Sequence, residues 1–211
     1  RPTAELPVRQ AAKVYRGLQR TLGGHAVALP PPEEMGLAPR ATLDATVRID
    51  GKPLDMLEIL AWCQIIVVAG NETTRNATSG GLLAFIEHPE QLRKLQADPG
   101  LMRPAIEEVV RWTSPIIHFG RTAAQDTVVS GVEIKQGDEL ALFYPSGNRD
   151  EAVFADPYTF RIDRNPNPHV GFGVGEHFCA GAHLARLELE MAFKYLLPRI
   201  AEIELAGPVD R

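Results

Sequence analysis

The run Phe172-Gly173-Val174-Gly175-Glu176-His177-Phe178-Cys179-Ala180-Gly181 places one cysteine in a glycine-rich loop that opens directly onto a helical pattern from Ala182 to Leu197. Glycines ahead of the sulfur let the backbone turn tightly beneath a flat ligand, and the amides that begin the next helix face the cysteine. That setting favours the thiolate, the form of cysteine that binds metals. Blander readings compete at this level. A lone cysteine is most often a small buried hydrophobe. Gly171-x-Gly173-x-Gly175 could be a degenerate dinucleotide loop, although its last glycine is misplaced and no strand-turn-helix unit surrounds it. His177, Cys179 and His183 hint at zinc, but no second cysteine pair or His-x-x-x-His completes a tetrahedral set.

The chain of 211 residues, with 45% hydrophobic and 23% charged residues, is long enough for one full globular core. A net charge of -5 and the lack of a lysine or arginine block with interleaved aromatics argue against nucleic acid as a partner. Cys63 and Cys179 stand far apart in unlike settings, so a disulfide framework is not indicated and a reducing compartment, the cytoplasm, is expected. The longest apolar stretch, Ile59 to Gly70, is broken by Gln64 and is shorter than the ~20 residues of a membrane span. No membrane anchor and no signal-peptide pattern are visible.

Along the chain, Val8, Ala11, Ala12, Tyr15 and Leu18 recur at helical spacing from Pro7 to Leu22. A connector at Pro30-Pro31-Pro32, a weak helix from Ala41 to Arg48 and a turn at Asp50-Gly51 follow. Asp55 with Glu58 forms a capping box, and the pattern after it runs without proline to Ile86, a helix of ~30 residues and ~45 Å. Pro89 and Pro104 suit the first turns of two shorter helices, and Pro115 follows the second. Thr127 to Val129, Val132 to Ile134 and Glu139 to Tyr144 read as short strands. In the last helix Leu184, Leu187, Met191 and Tyr195 form a candidate core stripe, with Arg186, Glu190 and Lys194 paired on a solvated one. The expected fold class is α+β, mainly helical.

Three motifs in one order carry a family resemblance. Phe-x-x-Gly-x-His-x-Cys-x-Gly around Cys179 resembles the haem-binding signature of the cytochrome P-450 family, in which the cysteine is the proximal ligand of haem iron. Ala69-Gly70-Asn71-Glu72-Thr73-Thr74 resembles that family's oxygen-activating helix motif, with Glu where many members have Asp. Taken alone it reads as a strained helical turn, since an interior Gly costs ~1 kcal/mol and a mid-helix Thr bonds back along the helix. Glu108 and Arg111 alone read as a solvated salt bridge. In the family a Glu-x-x-Arg pair is joined by an arginine of a later irregular segment, here Arg164 in Phe160-Arg161-Ile162-Asp163-Arg164.

The resemblance implies haem b with the Cys179 thiolate as axial ligand, and a monooxygenase that inserts one atom of dioxygen into a C–H bond of a hydrophobic small molecule. It implies that Thr73 stabilises activated oxygen, that Glu72 relays protons, and that Gly70 leaves room for dioxygen. Arg121 and His177 would bind the haem propionates. Ala69, Gly70, Phe172, Gly173 and Ala185 would lie against the cofactor, and Ile65, Val68, Ile116 and Ile117 around the substrate. Glu108, Arg111 and Arg164 would be structural, holding the cysteine loop. A ferredoxin or flavoprotein would deliver electrons. Asn165-Pro166-Asn167-Pro168-His169 and the motif at Ala69 look like bacterial members acting on sterol side chains and methyl-branched lipids. His118 and His169 are read as packing or hydrogen-bonding histidines, and His183 as a plain helix residue. A complete member is about twice as long, so residues 1–211 are expected to form a partial haem-thiolate domain lacking the N-terminal half and the extreme C-terminus. A truncated haem-binding fragment or remnant without catalysis is therefore the alternative, and it would leave Ile65, Ile66, Val67 and Val68 without a partner.

Overall fold

The computed structural model describes residues 48–49, 51–200, 203–205, 207 and 209. The helix expected from Pro7 to Leu22, the proline connector and residues 41–47 of the weak helix lie outside the described residues. Two units divide the chain, Arg1–Ile59 and Leu60–Arg211. In the first, β1 (Arg48–Ile49) pairs antiparallel with β2 (Lys52–Pro53), with Ile49 opposite Lys52 and Gly51 at φ +76° in the turn. Arg48, the last residue of the expected weak helix, is therefore in a strand.

Helix α1 (Met56–Glu87) starts at a reciprocal cap: the Asp55 amide donates to Glu58 Oε2 at 2.8 Å and the Glu58 amide to Asp55 Oδ1 at 2.9 Å. Two orphan donors of the helix start are satisfied in this way. The helix stops ahead of Pro89, which disfavours helical geometry at His88 and occupies the first turn of α2 (Pro89–Ala97). A short turn, Pro99–Leu101, capped by Asp98, leads into α3 (Met102–Thr113), with Pro104 inside its first turn. α3 ends at Ser114, which takes the left-handed φ of 41° and returns its amide to Val110 O at 3.0 Å.

Beyond α3, β3 (His118–Thr122) pairs antiparallel with β6 (Glu139–Phe143), and β4 (Thr127–Val129) with β5 (Val132–Ile134). Ser130 and Gly131 both have positive φ, the geometry of a two-residue hairpin turn. The strand expected to reach Tyr144 stops at Phe143, because Tyr144 starts the helical turn α4 (Tyr144–Gly147). β3 was not expected from the sequence. It contains Gly120, most of it is exposed, and its pairing depends on the distant β6. α5 (Ala182–Leu196) follows the cysteine loop.

The core is built from Ala77, Ala84 and Phe85 of α1, Leu92 and Leu95 of α2, Ile106, Val109 and Val110 of α3, Phe160 and Ile162 of the irregular segment, and Leu189 and Phe193 of α5. Phe85 packs edge-on against Phe160 at 5.6 Å and Phe193 at 5.7 Å. Gly81 permits this approach, since a Cβ there would lie 2.7 Å from Val109 Cγ1 and 2.8 Å from Phe193 Cζ. These contacts correct the expected orientation of α5. Ala182, Leu189 and Phe193 are buried, whereas Leu184, Leu187 and Tyr195 are exposed and Met191 is half-buried. Arg186 bonds to Glu107 of α3 in place of Glu190, and that ion pair together with the fit of Phe193 against Phe85 selects the helix rotation.

Candidate functional site

α3 carries two consecutive glutamates, and Glu108 points into the core. Its carboxylate accepts hydrogen bonds from Arg111 Nε and Nη2, both at 2.8 Å, from Arg164 Nε at 3.1 Å, from the Arg161 amide at 2.8 Å and from Asn167 Nδ2 at 3.2 Å. Both side chains of the Glu108–Arg111 pair are fully buried, and that of Arg164 nearly so. The guanidiniums spend their remaining donors on carbonyls: Arg111 on Asn148, Pro157 and Thr159, and Arg164 on Ala155, Asp156 and Thr159. The segment 155–164 is thereby tied to α3 through charge-assisted bonds.

Asn148 extends this lattice toward the cysteine loop. It is fully buried, its Oδ1 accepts from the Val170 amide at 2.8 Å, its Nδ2 donates to Ser114 Oγ at 2.9 Å, and its carbonyl accepts from Arg111. Sequence reasoning missed Asn148, because Gly147-Asn148-Arg149-Asp150 has the composition of an ordinary turn. It also missed the partners of His169, which it read only as a packing or hydrogen-bonding histidine.

The loop itself is shaped by its backbone. Gly173 and Gly175 both take φ +72°, the left-handed region that favours glycine, and the Gly173 amide donates to Val170 O at 2.8 Å. A short turn, Gly175–His177, follows, and the Cys179 amide returns to Phe172 O at 2.8 Å. Cys179 is exposed, as are His177 and Phe178, while Phe172 and Ala185 are half-buried. Arg121, on β3 opposite Leu140, is half-buried and donates from Nη1 to Gly120 O at 2.8 Å.

On α1 the positions Ile65, Val68, Ala69, Glu72 and Thr73 share one face by their spacing. Ile65, Val68, Ala69, Gly70 and Glu72 are exposed and Thr73 is half-buried. Thr73 Oγ1 donates to Ala69 O at 2.6 Å, the back-bond expected for a mid-helix threonine, and Glu72 is held by Arg75 at 2.6 Å. A Cβ at Gly70 would meet nothing within 4 Å. The polar bonds of Glu72 and Thr73 stay within their own helix and do not reach the cysteine loop. Ile116 is half-buried and Ile117 exposed in the link between α3 and β3.

Residues 100–200 match the sequence profile of the family described as Cytochrome P-450. Over 157 residues the chain is 48% identical to the methyl-branched lipid omega-hydroxylase of Mycobacterium tuberculosis, which covers 74% of this chain and 37% of that protein. The chain belongs to the cytochrome P-450 family. It is also 45% identical over 158 residues to the steroid C26-monooxygenase of Mycolicibacterium smegmatis, covering 75% of this chain and 39% of that protein. Among solved structures, the Bacillus subtilis 168 bacillaene polyketide synthase cytochrome P-450 PksS superposes with a TM-score of 0.75 at 34% identity, covering 98% of this chain and 53% of that one. The chain thus spans about two fifths of the length of these two curated relatives.

Membership in the cytochrome P-450 family implies haem, and the donor set fits such a group. Among the described residues no cluster of three or more His, Cys, Asp or Glu side chains could hold a bare metal ion. Both cysteines are exposed, and of the two Cys179 alone stands in the glycine loop, where a single sulfur would suit a metal that brings its other donors with it. No carboxylate forms an ion pair with Arg121 or His177 among the described residues, which suits a group carrying acidic substituents. No described helix is long and apolar enough to cross a membrane.

Proposed function

We propose that this protein is a haem-dependent monooxygenase that inserts one atom of dioxygen into a C–H bond of a hydrophobic substrate, such as a sterol side chain or a branched lipid, the other atom leaving as water. The observation that carries this reading is the exposed Cys179, presented by a loop whose two left-handed glycines and Phe172–Cys179 backbone bond shape a cradle at the start of α5. The substrate class is supported by what the two mycobacterial relatives are named for.

Haem b, when bound, supplies the oxidant for C–H cleavage. Cys179 would hold its iron through the thiolate, Phe172, Gly173 and Ala185 would pack beside the group, and Arg121 and His177 would bind its propionates. The buried Glu108–Arg111–Arg164 lattice holds the segment ahead of the loop and so supports the position of the sulfur. Thr73 holds a hydroxyl proton at Oγ1 on the helix face that carries Glu72, and Glu72 would pass protons toward it from solvent. Ala69 and Gly70 would leave space for dioxygen, and Ile65, Val68, Ile116 and Ile117 would offer apolar surface to the substrate. Electrons would come from a ferredoxin or flavoprotein.

The test is the reduced carbon monoxide complex of the haem-loaded protein, which should show the red-shifted Soret band of thiolate ligation. Cys179→Ser should abolish that band, and Cys63→Ala should leave it unchanged. A histidine-type spectrum in the wild-type protein would defeat the assignment. A second reading, haem binding without turnover by this polypeptide alone, is favoured by the exposed run Ile65, Ile66, Val67 and Val68 on α1. A thiolate spectrum without product, when a ferredoxin system and a sterol or branched lipid are supplied, would select it.

A further inference from the structure

Glu107 sits beside Glu108 on α3, yet it faces a different part of the molecule. Its Oε1 accepts from Arg186 Nε at 2.6 Å, and its Oε2 accepts from Arg186 Nη2 at 2.9 Å and lies 2.9 Å from His169 Nε2. His169 precedes the cysteine loop and Arg186 lies on α5 after it. The Gly171 amide donates to His169 Nδ1 at 3.2 Å, so that nitrogen is the acceptor and Nε2 carries the hydrogen given to Glu107. The Arg186 guanidinium also lies 4.4 Å from the centroid of the Phe172 ring, which His169 approaches at 5.9 Å and Phe178 at 6.4 Å. The carbonyl of that same Phe172 receives the Cys179 amide.

We propose that Glu107 is a positioning residue that staples the two flanks of the cysteine loop together, through His169 on the entry side and Arg186 on the exit side, and so fixes Phe172 and the direction of the Cys179 sulfur. The division of labour between the two glutamates follows from the helix: adjacent residues point ~100° apart, so Glu108 binds segment 155–164 and Asn167, and Glu107 binds His169 and Arg186 on either side of the loop. Their burial differs too. The Glu107 and Arg186 side chains retain 29% and 32% of their exposure, so water can solvate Arg186 if its partner is removed. No fully buried charge is then stranded, and the fold survives what the loop does not. Burial pushes the Glu107 carboxyl up, but the hydrogen bonds from Arg186 and His169 and the Arg186 charge outweigh it and hold the group at about 2. Arg186 is pushed up by the Glu107 hydrogen bond first, against the opposing effect of burial, with further contributions from the charges of Glu107 and Cys179.

This inference rests on the haem-thiolate reading, and its test separates the two. Haem-loaded wild type, Glu107→Gln, Arg186→Met and the double variant are held in mild denaturant, and loss of the thiolate-type Soret band of the reduced carbon monoxide complex is followed beside far-UV circular dichroism. Each single variant should lose the band faster by on the order of tenfold while its dichroism remains native, the scale expected for a charge-assisted hydrogen bond. The double variant should add little to either single change, since both break one staple. Arg186→Lys should restore only part of the wild-type lifetime, because an ammonium lacks the two-donor fork and the flat face on Phe172. Band lifetimes equal to wild type overturn the proposal, and so does Glu107→Gln protein that is unfolded by dichroism, since the residue is then a folding element like Glu108. A wild-type protein without any thiolate band overturns the haem reading itself.

Discussion

Glu108 and Arg111 are joined by two 2.8 Å hydrogen bonds, with neither side chain exposed to solvent. A pair so placed is stable only because Arg164, Asn167 and the Arg161 amide also serve the carboxylate, while backbone carbonyls complete the guanidinium. Such a pair adds little over an apolar replacement, but removing one partner is severe.

Glu108→Ala should therefore cost about 3–5 kcal/mol and yield little folded protein, because Arg111 and Arg164 remain buried without a counter-charge. Arg111→Lys should fail as well, since an ammonium cannot supply the two parallel donors. Denaturant unfolding measures both. Recovery of Glu108→Ala with wild-type stability would show that the cluster holds nothing in place.

Two glycines of α1 should respond in opposite directions to the same substitution. At Gly81 a Cβ meets Val109 and Phe193 below 3 Å, so Gly81→Ala should destabilise by about 1–3 kcal/mol. At Gly70 it meets nothing within 4 Å, and Gly70→Ala should stabilise the helix by about 0.5–1 kcal/mol. Thermal unfolding midpoints of the haem-free proteins decide the matter, and equal shifts would contradict the packing described.

The Glu107 carboxyl is lowered from 4.5 to about 2 in the folded protein, despite the opposing effect of burial. A folded value below the ordinary one makes the contribution to stability complete above about pH 4.5 and removes it progressively as pH falls toward 2. The contribution is on the order of 2 kcal/mol, allowing for solvent screening of a partly exposed group. In urea titrations the stability difference between wild type and Glu107→Gln should shrink across that window. A difference independent of pH would mean that the ionised form of Glu107 is not the one its partners hold.

Thr73→Ala should leave the stability of α1 nearly unchanged, because Ala69 O loses only a back-bond from Oγ1. Under the monooxygenase reading, the same change should lower product formed per NAD(P)H consumed and release the balance as hydrogen peroxide. Glu72→Gln should slow turnover more than it alters that ratio, since the carboxylate acts one step further from the oxygen site. A wild-type ratio in Thr73→Ala would remove the hydroxyl from the proton path.

The amino-acid sequence by itself determined whatever depends on near neighbours. Asp55 and Glu58 announce the start of α1, Pro89 the start of α2, Ser130-Gly131 the β4–β5 turn, and the glycines before Cys179 the shape of its loop. These signals are local because capping, proline geometry and left-handed φ act within a few residues. The tertiary structure alone decided which face of α5 is buried, that β3 pairs with β6, that Asn148 is a buried junction, and that the adjacent Glu107 and Glu108 serve different segments. Each of these depends on partners distant in sequence. Glu107 meets His169 across 62 positions and Arg186 across 79, and a carboxylate on a helix carries no mark of its partner until packing excludes water around the pair.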